Sequence, residues 1–252
     1  MRTQPHLENA LAFVNCQLQP MNRLAYRETA AFQPRAITIS RQAGCGALVV
    51  ANKLAELLQQ RGPKEAPTWT VFDRNLIDKV LEDHNLPKWF AKFLPEDRLT
   101  ELQDIIDDLF GLHPPLRTVV EHTAETILQL ANLGNVILIG RGANVITAKL
   151  PEVFHVRLVA PLDKRVAHAH EYYEMTEAQA RTFCLREDRG RIRYLRKYYH
   201  SDINDPLIYH LVINTGLVSY DQAARLISDT ATGKVFGDAA TAKGQGFTVG
   251  AA

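Results

Sequence analysis

The sequence predicts an α/β protein built on a parallel sheet with helices on both faces. Two observations favour this fold class. Apolar runs of strand length alternate with longer segments of helical periodicity over most of the chain. One run, Val136–Ile139, is apolar at every position, as is typical of a parallel strand that is buried on both faces. The strands are predicted at residues 36–40, 69–72, 136–139, 153–159 and 207–213.

The helices follow from apolar residues spaced three and four apart, and glycine or proline marks several of their ends. The first long helix begins after the turn Gly44-Cys45-Gly46 and ends near Gln60, where Arg61-Gly62-Pro63 stops it. Gly134 closes the helix predicted at 116–133. Further helices are predicted at residues 75–82, 96–110, 143–149, 161–169, 176–199 and 218–230.

Composition limits the function classes. Of the 252 residues, 46% are hydrophobic and 23% are charged, which is ordinary for a globular protein. A formal net charge of +1 argues against a role in which the whole surface binds nucleic acid. No apolar run approaches the roughly 18 residues of a membrane span. The three cysteines lie far apart, which favours reduced thiols, so we expect a cytoplasmic protein.

The chain divides into three segments. Residues 1–34 contain a short amphipathic helix and two prolines, and they are predicted to form a helical appendage. Residues 35–230 carry all five predicted strands and form the predicted α/β domain. Residues 231–252 are rich in glycine and alanine with little apolar pattern, so this tail is predicted to be disordered.

The turn Gly44-Cys45-Gly46 joins the first strand to the first helix. This is the local geometry of a phosphate-binding loop, in which backbone N–H groups hold anionic oxygens. The match to G-x-x-x-x-G-K-[ST] is incomplete: Arg41 replaces the first glycine, and Ala47 and Leu48 replace the lysine and the hydroxyl residue. A tight strand–helix connection is the alternative interpretation. Cys45 at a helix start could have a lowered pKa and be reactive, although a small residue filling the turn is the simpler hypothesis.

Charged residues follow two other predicted strands. Asp73-Arg74 comes after the second strand and Gly140-Arg141 after the third. Because parallel strands end at one edge of the sheet, we expect these residues and the glycine turn to form an anion site there. Asp73 could instead cap a helix that begins near Asn75.

Two other groups of residues are interpreted as surface. Asp104, Asp107 and Asp108 lie on the polar side of a predicted amphipathic helix, so we expect a solvated face there. His168-x-His170 places two imidazoles on different faces of a helix, and no Cys or Asp set lies nearby in the sequence. The sequence therefore predicts no protein-held metal site.

Taken in order, these motifs resemble the cytidylate kinase-like branch of the nucleoside monophosphate kinases, over roughly residues 35–230. The matching segments are 39–46, 71–77, 137–143, 160–162, 186–199 and 205–215. The resemblance implies a P-loop, three-layer αβα fold with a parallel five-stranded sheet, an NMP-binding insertion and a mobile helical lid at about 176–200. It also implies transfer of the γ-phosphoryl group of ATP, with Mg²⁺, to a nucleotide such as CMP or dCMP.

The resemblance also implies roles for individual residues. Catalytic arginines would be Arg41, Arg141, Arg186 and Arg193. The phosphates of ATP would contact Ser40, Arg41, Gly44, Cys45, Gly46 and Arg189. The acceptor would lie by Asp73, Arg74, Gly140 and Arg141. With Ala47 and Leu48 in the loop, Mg²⁺ would be held by water, by phosphates and by Ser40 or Asp73.

Several functions remain open at this stage. One is a nucleoside monophosphate kinase-like phosphotransferase, which the arginines at the strand ends favour. Another is a nucleotide-binding regulatory protein that keeps the fold without turnover, which Ala47 and Leu48 favour. A third is a kinase for a different small phosphate acceptor. The arginine-rich segment 181–197 could also be a solvated helix face, or could bind nucleic acid because tyrosines interleave with it, but we expect nucleotides as partners and neither nucleic acid nor membrane.

Overall fold

The computed structural model describes residues 34–62, 66–73 and 116–233. Nearly all of the predicted N-terminal appendage lies outside these ranges, as does the tail after residue 233. The helices predicted at 75–82 and 96–110, the residue Arg74 and the predicted NMP-binding insertion also lie outside the described residues.

Five strands form one parallel sheet in the order β2-β3-β1-β4-β5, so the predicted five-stranded parallel sheet is confirmed. In chain order the elements are β1 (Ala36–Arg41), α1 (Ala47–Arg61), β2 (Thr70–Phe72), α2 (Leu116–Leu133), β3 (Val136–Ile139), α3 (Ala143–Ile146), β4 (Val153–Val159), α4 (Leu162–Tyr173), α5 (Glu177–Tyr199), β5 (Leu211–Asn214) and α6 (Tyr220–Ala231). A short 3₁₀ helix, Pro206–Ile208, precedes β5.

Helices cover both faces of the sheet, because alternate residues of each strand point to opposite sides. Ile37 and Ile39 of β1 pack in one apolar cluster with residues of α1 and α6, such as Leu54 and Ile227. The other cluster joins the sheet to α2 and α3, with Leu138 among its members. The three-layer αβα arrangement is therefore present. Among the described helices, none is long and apolar enough to cross a membrane.

The fifth strand differs from its prediction at 207–213. Asp205 caps a 3₁₀ turn by accepting a hydrogen bond from the Leu207 N–H at 2.9 Å, and Pro206 is the first residue of that turn. Proline has a fixed φ and no N–H, so this segment turns instead of joining the sheet. His210 N then donates to His155 O, and the strand runs over Leu211–Asn214. Turn chemistry thus overrides the apolar pattern of the first three residues.

The strand order creates a crevice between β1 and β3. The helix after β1 lies on one face of the sheet, whereas the short helix after β3 lies on the other. The two connections therefore diverge, and in open parallel sheets ligands bind where neighbouring connections diverge. The carboxyl ends of β1 and β3, at Arg41 and Gly140, meet at this crevice.

Candidate functional site

A cavity of about 390 Å³ opens at the carboxyl ends of β1 and β3. It is lined by Ser40, Arg41, Gly140, Arg141, Gly142, Asn144, Arg186, Glu187, Gly190, Arg191, Tyr194, Leu195 and Ile203. Among these described residues, four side chains carry a guanidinium group and one, Glu187, carries a carboxylate. Such a concentration of guanidinium groups suits a ligand with several anionic oxygens. We call this cavity the arginine cavity.

Arg41 and Gly140 are in close contact at the base of the crevice. Gly140 N donates to Ile39 O at 3.1 Å, which joins the end of β3 to β1. A Cβ on Gly140 would lie 1.7 Å from Arg41 Nη1, and its φ is +84°. Only glycine therefore leaves room for the guanidinium in this position.

The Arg41 guanidinium has a lowered pKa, of about 10. Burial is the largest cause and the charge of Arg191 is the next, whereas Cys45 and Asp73 act in the opposite direction. At neutral pH Arg41 stays charged. The influence of Asp73 means that the end of β2 lies within electrostatic reach of Arg41.

The chain leaves β3 through three consecutive residues with positive φ: Gly140 at 84°, Arg141 at 52° and Gly142 at 75°. Arg141 is the unusual member, since side chains disfavour this left-handed region. Gly142 packs beneath Tyr199, whose ring would lie 3.1 Å from a Cβ at this position. Left-handed non-glycine residues cluster at functional sites, and here the bend brings Arg141 into the cavity lining.

Helix α5 lies over the cavity and has a distinct inner face. A capping box of Thr176 and Gln179 fixes its start. Cys184 and Leu195 are buried, and residues at spacings of three and four between them, including Glu187 and Arg191, line the cavity. Arg186 also lines it, with 72% of its side chain exposed.

The other two arginines predicted for the lid lie elsewhere. Arg189 and Arg193 are exposed and are not part of the cavity lining. Arg191, which the sequence analysis did not single out, lines the cavity and donates to Asp188 at 3.2 Å. Only the phase of the helix distinguishes it, because Arg191 lies seven residues after Cys184 and four before Leu195, two of the buried apolar positions of α5.

The glycine loop, residues 43–46, makes its close contacts with the protein itself. Asp188 of α5 accepts a hydrogen bond from Ala43 N at 2.7 Å and pairs with Arg165 at 2.6 Å. A Cβ on Gly44 would meet the Arg165 backbone oxygen at 2.3 Å, and one on Gly46 would meet the Tyr220 ring at 2.3 Å. None of residues 44–46 is among those lining the arginine cavity.

Cys45 is a packing residue in this loop. Its side chain is 1% exposed, and Sγ donates to Gln42 O at 2.9 Å. Burial raises the pKa of the thiol to about 11, against a smaller lowering by Arg41. The hypothesis of a reactive thiol is therefore wrong: desolvation outweighs the effect of the nearby arginines on the pKa, and the buried Cys45 side chain fills the turn.

Mg²⁺ held by the protein would need oxygen ligands at the site. In residues 34–62, 66–73 and 116–233, no group of three or more His, Cys, Asp or Glu could hold a metal ion. Ser40 Oγ accepts a hydrogen bond from Arg157 Nη1 at 2.9 Å, so a cation already lies beside it. Leu48 has no hydroxyl. The described residues therefore do not form a site of three or more such ligands for Mg²⁺.

Comparison with known proteins identifies the family. A model of the cytidylate kinase-like family matches residues 36–217. This chain belongs to the cytidylate kinase-like family. The predicted membership is thus confirmed, and with the observed sheet it makes the chain a kinase-like protein of the P-loop type.

Two solved structures are similar to this member of the cytidylate kinase-like family to different degrees. An uncharacterized protein from Eubacterium ventriosum is similar with a TM-score of 0.58 and 21% identity, over 79% of this chain and 98% of that one. Shikimate kinase from Bacteroides thetaiotaomicron has a TM-score of 0.42 and 12% identity, over 77% and 96%. The first likeness supports the fold.

One curated relative matches a shorter stretch. A protein named uronate isomerase, from Corynebacterium glutamicum, is 33% identical over 104 residues, which is 41% of this chain. The match spans 20% of that relative's length. Because the match covers about one fifth of that relative, its name does not imply isomerase activity for the cytidylate kinase-like chain.

Proposed function

We propose that the protein is a nucleoside monophosphate kinase-like phosphotransferase that moves the γ-phosphoryl group of ATP to a nucleotide such as CMP or dCMP. The observation that carries this proposal is the convergence of four guanidinium groups in one cavity at the crevice between β1 and β3. Phosphoryl transfer requires positioning and cationic stabilisation more than covalent help from the protein, and this cavity offers both.

The acceptor side of the reaction is assigned to the arginine cavity. Arg41 and Arg141 come from the two strand ends, and the close fit of Arg41 over Gly140 holds its guanidinium in place. They would bind the phosphate of the acceptor, with Asp73 and Arg74 near the acceptor as the family resemblance implies. Arg186 and Arg191 on α5 would then stabilise charge on the transferring group.

The donor side rests on the start of α1. Its N-cap residue, Gly46, provides no side-chain cap, and the first turn of the helix contains no acidic residue. Free N–H groups at a helix start attract phosphate oxygens, so residues 44–46 would meet the phosphates of ATP. The family resemblance also implies Arg189 in this donor set, although Arg189 lies outside the cavity lining, whereas Ser40 lines the cavity and is placed on the acceptor side. Mg²⁺ would enter with ATP as part of the substrate, and we assign no protein residue to it.

A nucleotide-binding regulatory protein is the second candidate. Two observations favour it: Asp188 already holds the Ala43 N–H, and Ala47 and Leu48 supply neither lysine nor hydroxyl. Both candidates predict nucleotide binding in the arginine cavity, whereas only the first predicts release of ADP. A kinase for another small phosphate acceptor would release ADP with that acceptor.

A binding measurement tests the shared part of the proposal. Isothermal titration with CMP, dCMP and ATP should show binding by the wild-type protein. Arg141→Ala should weaken CMP about 10- to 100-fold, which is the expected cost of losing a charge-assisted hydrogen bond. Arg35→Ala is the matched control. Arg35 immediately precedes β1 and pairs with Glu152, so it lies at the opposite end of the strands from the arginine cavity. Absence of both heat and thermal shift at millimolar nucleotide would refute both candidates.

A coupled ADP-release assay then separates enzyme from binder. It should be run with ATP and a panel of nucleoside monophosphates, with and without Mg²⁺, and with Arg141→Ala as the inactive control. ADP release that depends on CMP or dCMP supports the phosphotransferase. Binding without ADP release above the Arg141→Ala background would establish the regulatory alternative.

A further inference from the structure

Arg157 is a buried cation whose hydrogen-bond partners are neutral. It lies in β4, and the residue is 5% exposed. Nη1 donates to Ser40 Oγ at 2.9 Å, and Nη2 donates to Asn204 Oδ1 at 3.0 Å. The guanidinium also lies 5.7 Å from the centroid of the Tyr209 ring. Within the part of the chain that the structure describes, no carboxylate pairs with it.

A second buried arginine shows the usual arrangement. Arg165 is 6% exposed, and its Nη1 lies 2.6 Å from Asp188 Oδ2. Burying a guanidinium without an opposite charge is costly, so proteins usually pair such groups or supply the charge with a ligand. Among the residues that the structure describes, Asp188 compensates Arg165, whereas Arg157 meets only hydroxyl, amide and aromatic groups. This difference points to a counter-charge that arrives from outside.

The arginine cavity gives that charge a place. Ser40, the partner of Arg157, is part of the cavity lining. Arg157 Nη1 donates to Ser40 Oγ, so the serine hydroxyl has its own hydrogen for donation. Tyr209 Oη has one hydrogen, for which Ile203 O at 2.9 Å is the nearer acceptor, so Ser40 can donate to Tyr209 Oη at 3.2 Å without ligand and to an anionic oxygen when a ligand is bound. A hydroxyl backed by a buried cation is a donor suited to an anionic oxygen.

We propose that Ser40 and Arg157 form an anion subsite on the floor of the arginine cavity, separate from Arg41 and Arg141. Ser40 donates to a phosphate oxygen of the bound ligand, and Arg157 supplies the charge behind it. Arg157 is thus a positioning and specificity-determining residue that favours phosphorylated over unphosphorylated ligands. The inference rests on the proposed function only in placing the phosphorylated acceptor in this cavity. It also assigns Ser40 to phosphate and not to Mg²⁺.

Four variants test the subsite: Arg157→Met, Arg157→Lys, Ser40→Ala and the control Arg61→Met. Arg61 pairs with Asp229 at the end of α1, away from the cavity lining. Inorganic pyrophosphate serves as an anionic probe without a base, and CMP is compared with cytidine. Isothermal titration gives the affinities, and thermal melting of the unliganded protein gives the stability of each variant.

The subsite predicts a specific pattern. Arg157→Met should weaken pyrophosphate and CMP at least about tenfold, leave cytidine unchanged, and not lower the melting temperature of the unliganded protein. Arg157→Lys, which keeps the charge, should retain most of the anion affinity. Ser40→Ala should weaken the same two ligands, and the loss in the Ser40→Ala/Arg157→Met double variant should be less than the product of the single losses. Arg61→Met should leave all three affinities unchanged.

The contrary results are equally clear. If Arg157→Met lowers the melting temperature and leaves pyrophosphate affinity unchanged, Arg157 is an internal structural residue and the subsite is wrong. Failure of the wild-type protein to bind pyrophosphate at millimolar concentration would also overturn it. Binding of pyrophosphate that depends on Arg157, without binding of nucleotides, would support the subsite and refute the proposed function. Nucleotide turnover that is unchanged in the Ser40 and Arg157 variants would refute the subsite and support the proposed function.

Discussion

The arginine cavity and the glycine loop lie next to each other along the chain, yet they are built differently. At the cavity, Arg41 and Arg141 face open space together with two arginines of α5. In the loop, only two residues further on, the backbone is engaged by protein groups: Asp188 holds the Ala43 N–H and Arg165 donates to the Ala43 carbonyl oxygen. In the loop the backbone is thus held by protein groups, whereas the cavity gathers four guanidinium groups, two of which also contact the carboxylates of Glu187 and Asp188.

This difference separates two tasks that an ordinary phosphate loop combines. The Asp188–Arg165 pair ties α5 and α4 to the loop, so the loop fixes the position of the helix that covers the cavity. The cavity in turn supplies the cations for binding. We therefore expect changes in the loop to reduce stability as well as the proposed ATP binding, and changes in the cavity to reduce affinity for the acceptor.

The largest expected effect is that of Asp188→Ala. It would leave the Arg165 guanidinium, 7% exposed, without its carboxylate, and breaking such a buried pair costs about 3–5 kcal/mol. The free energy of unfolding, measured by urea denaturation, should fall by that amount. Asp221→Ala removes an exposed partner of Lys53 and should change stability little. An equal loss in the two variants would contradict the structural task assigned to the loop.

Gly44→Ala should cost about 3 kcal/mol of stability, from the left-handed backbone and from overpacking. Its Cβ would lie 2.3 Å from a backbone oxygen of Arg165, at a φ of +79°, and backbone cannot give way as a flexible side chain can. Gly190→Ala is the opposite case, since nothing lies within 4 Å of its Cβ position on α5.

Gly190→Ala should therefore raise the free energy of unfolding by about 0.5–1 kcal/mol, because alanine is a better helix former than glycine. Thermal or urea unfolding of both variants therefore tests the sign as well as the size of the difference. A Gly44→Ala protein as stable as the wild type would show that the loop can relax away from Arg165.

A buried histidine of β4, His155, should make stability depend on pH. His155 is 6% exposed and accepts or donates a hydrogen bond with Thr38 at 2.9 Å; burial, and then His210, lower its pKa to about 4. The unfolded chain, with an ordinary pKa near 6.5, binds the proton first, so stability is lost as pH falls from about 6.5 to about 4. The loss amounts to about 3 kcal/mol.

Urea denaturation between pH 7.5 and pH 4 measures this loss. His155→Gln should remove that share of the pH dependence while carboxylates retain theirs, so the difference between the two curves is the relevant quantity. Identical slopes for wild type and His155→Gln would show that the imidazole is not buried in its neutral form.

Much of this architecture could be predicted from the sequence. The run Val136–Ile139 matches β3 residue for residue, because a continuous apolar segment bounded by glycines has few alternatives. Strand ends carrying Arg41 and Gly140-Arg141 also predicted one edge for the anion site. The prediction was wrong for β5, where Asp205 and Pro206 impose a turn that hydropathy does not register.

Long-range pairing and helix phase could not be predicted in the same way. Asp188 meets Ala43 across 145 residues, and nothing local to either residue indicates that contact. Arg157 in β4 is equally uninformative in sequence, since its partner Ser40 lies 117 residues away. Within α5 the basic residues look alike, and only the buried positions Cys184 and Leu195 determine which of them faces the cavity.

The smallest expected effect on ligand affinity tests which face of α5 points into the arginine cavity. Arg191 lines the cavity and Arg193, two residues later, is exposed outside it. Arg191→Met should weaken CMP or pyrophosphate about 10-fold, because one charge-assisted hydrogen bond is lost, whereas Arg193→Met should leave the affinity unchanged. Both substitutions remove one positive charge from the same helix, so long-range electrostatics are matched. Isothermal titration at two salt concentrations measures the difference, and equal losses in the two variants would mean that α5 attracts anions by its net charge and not through the arginine cavity.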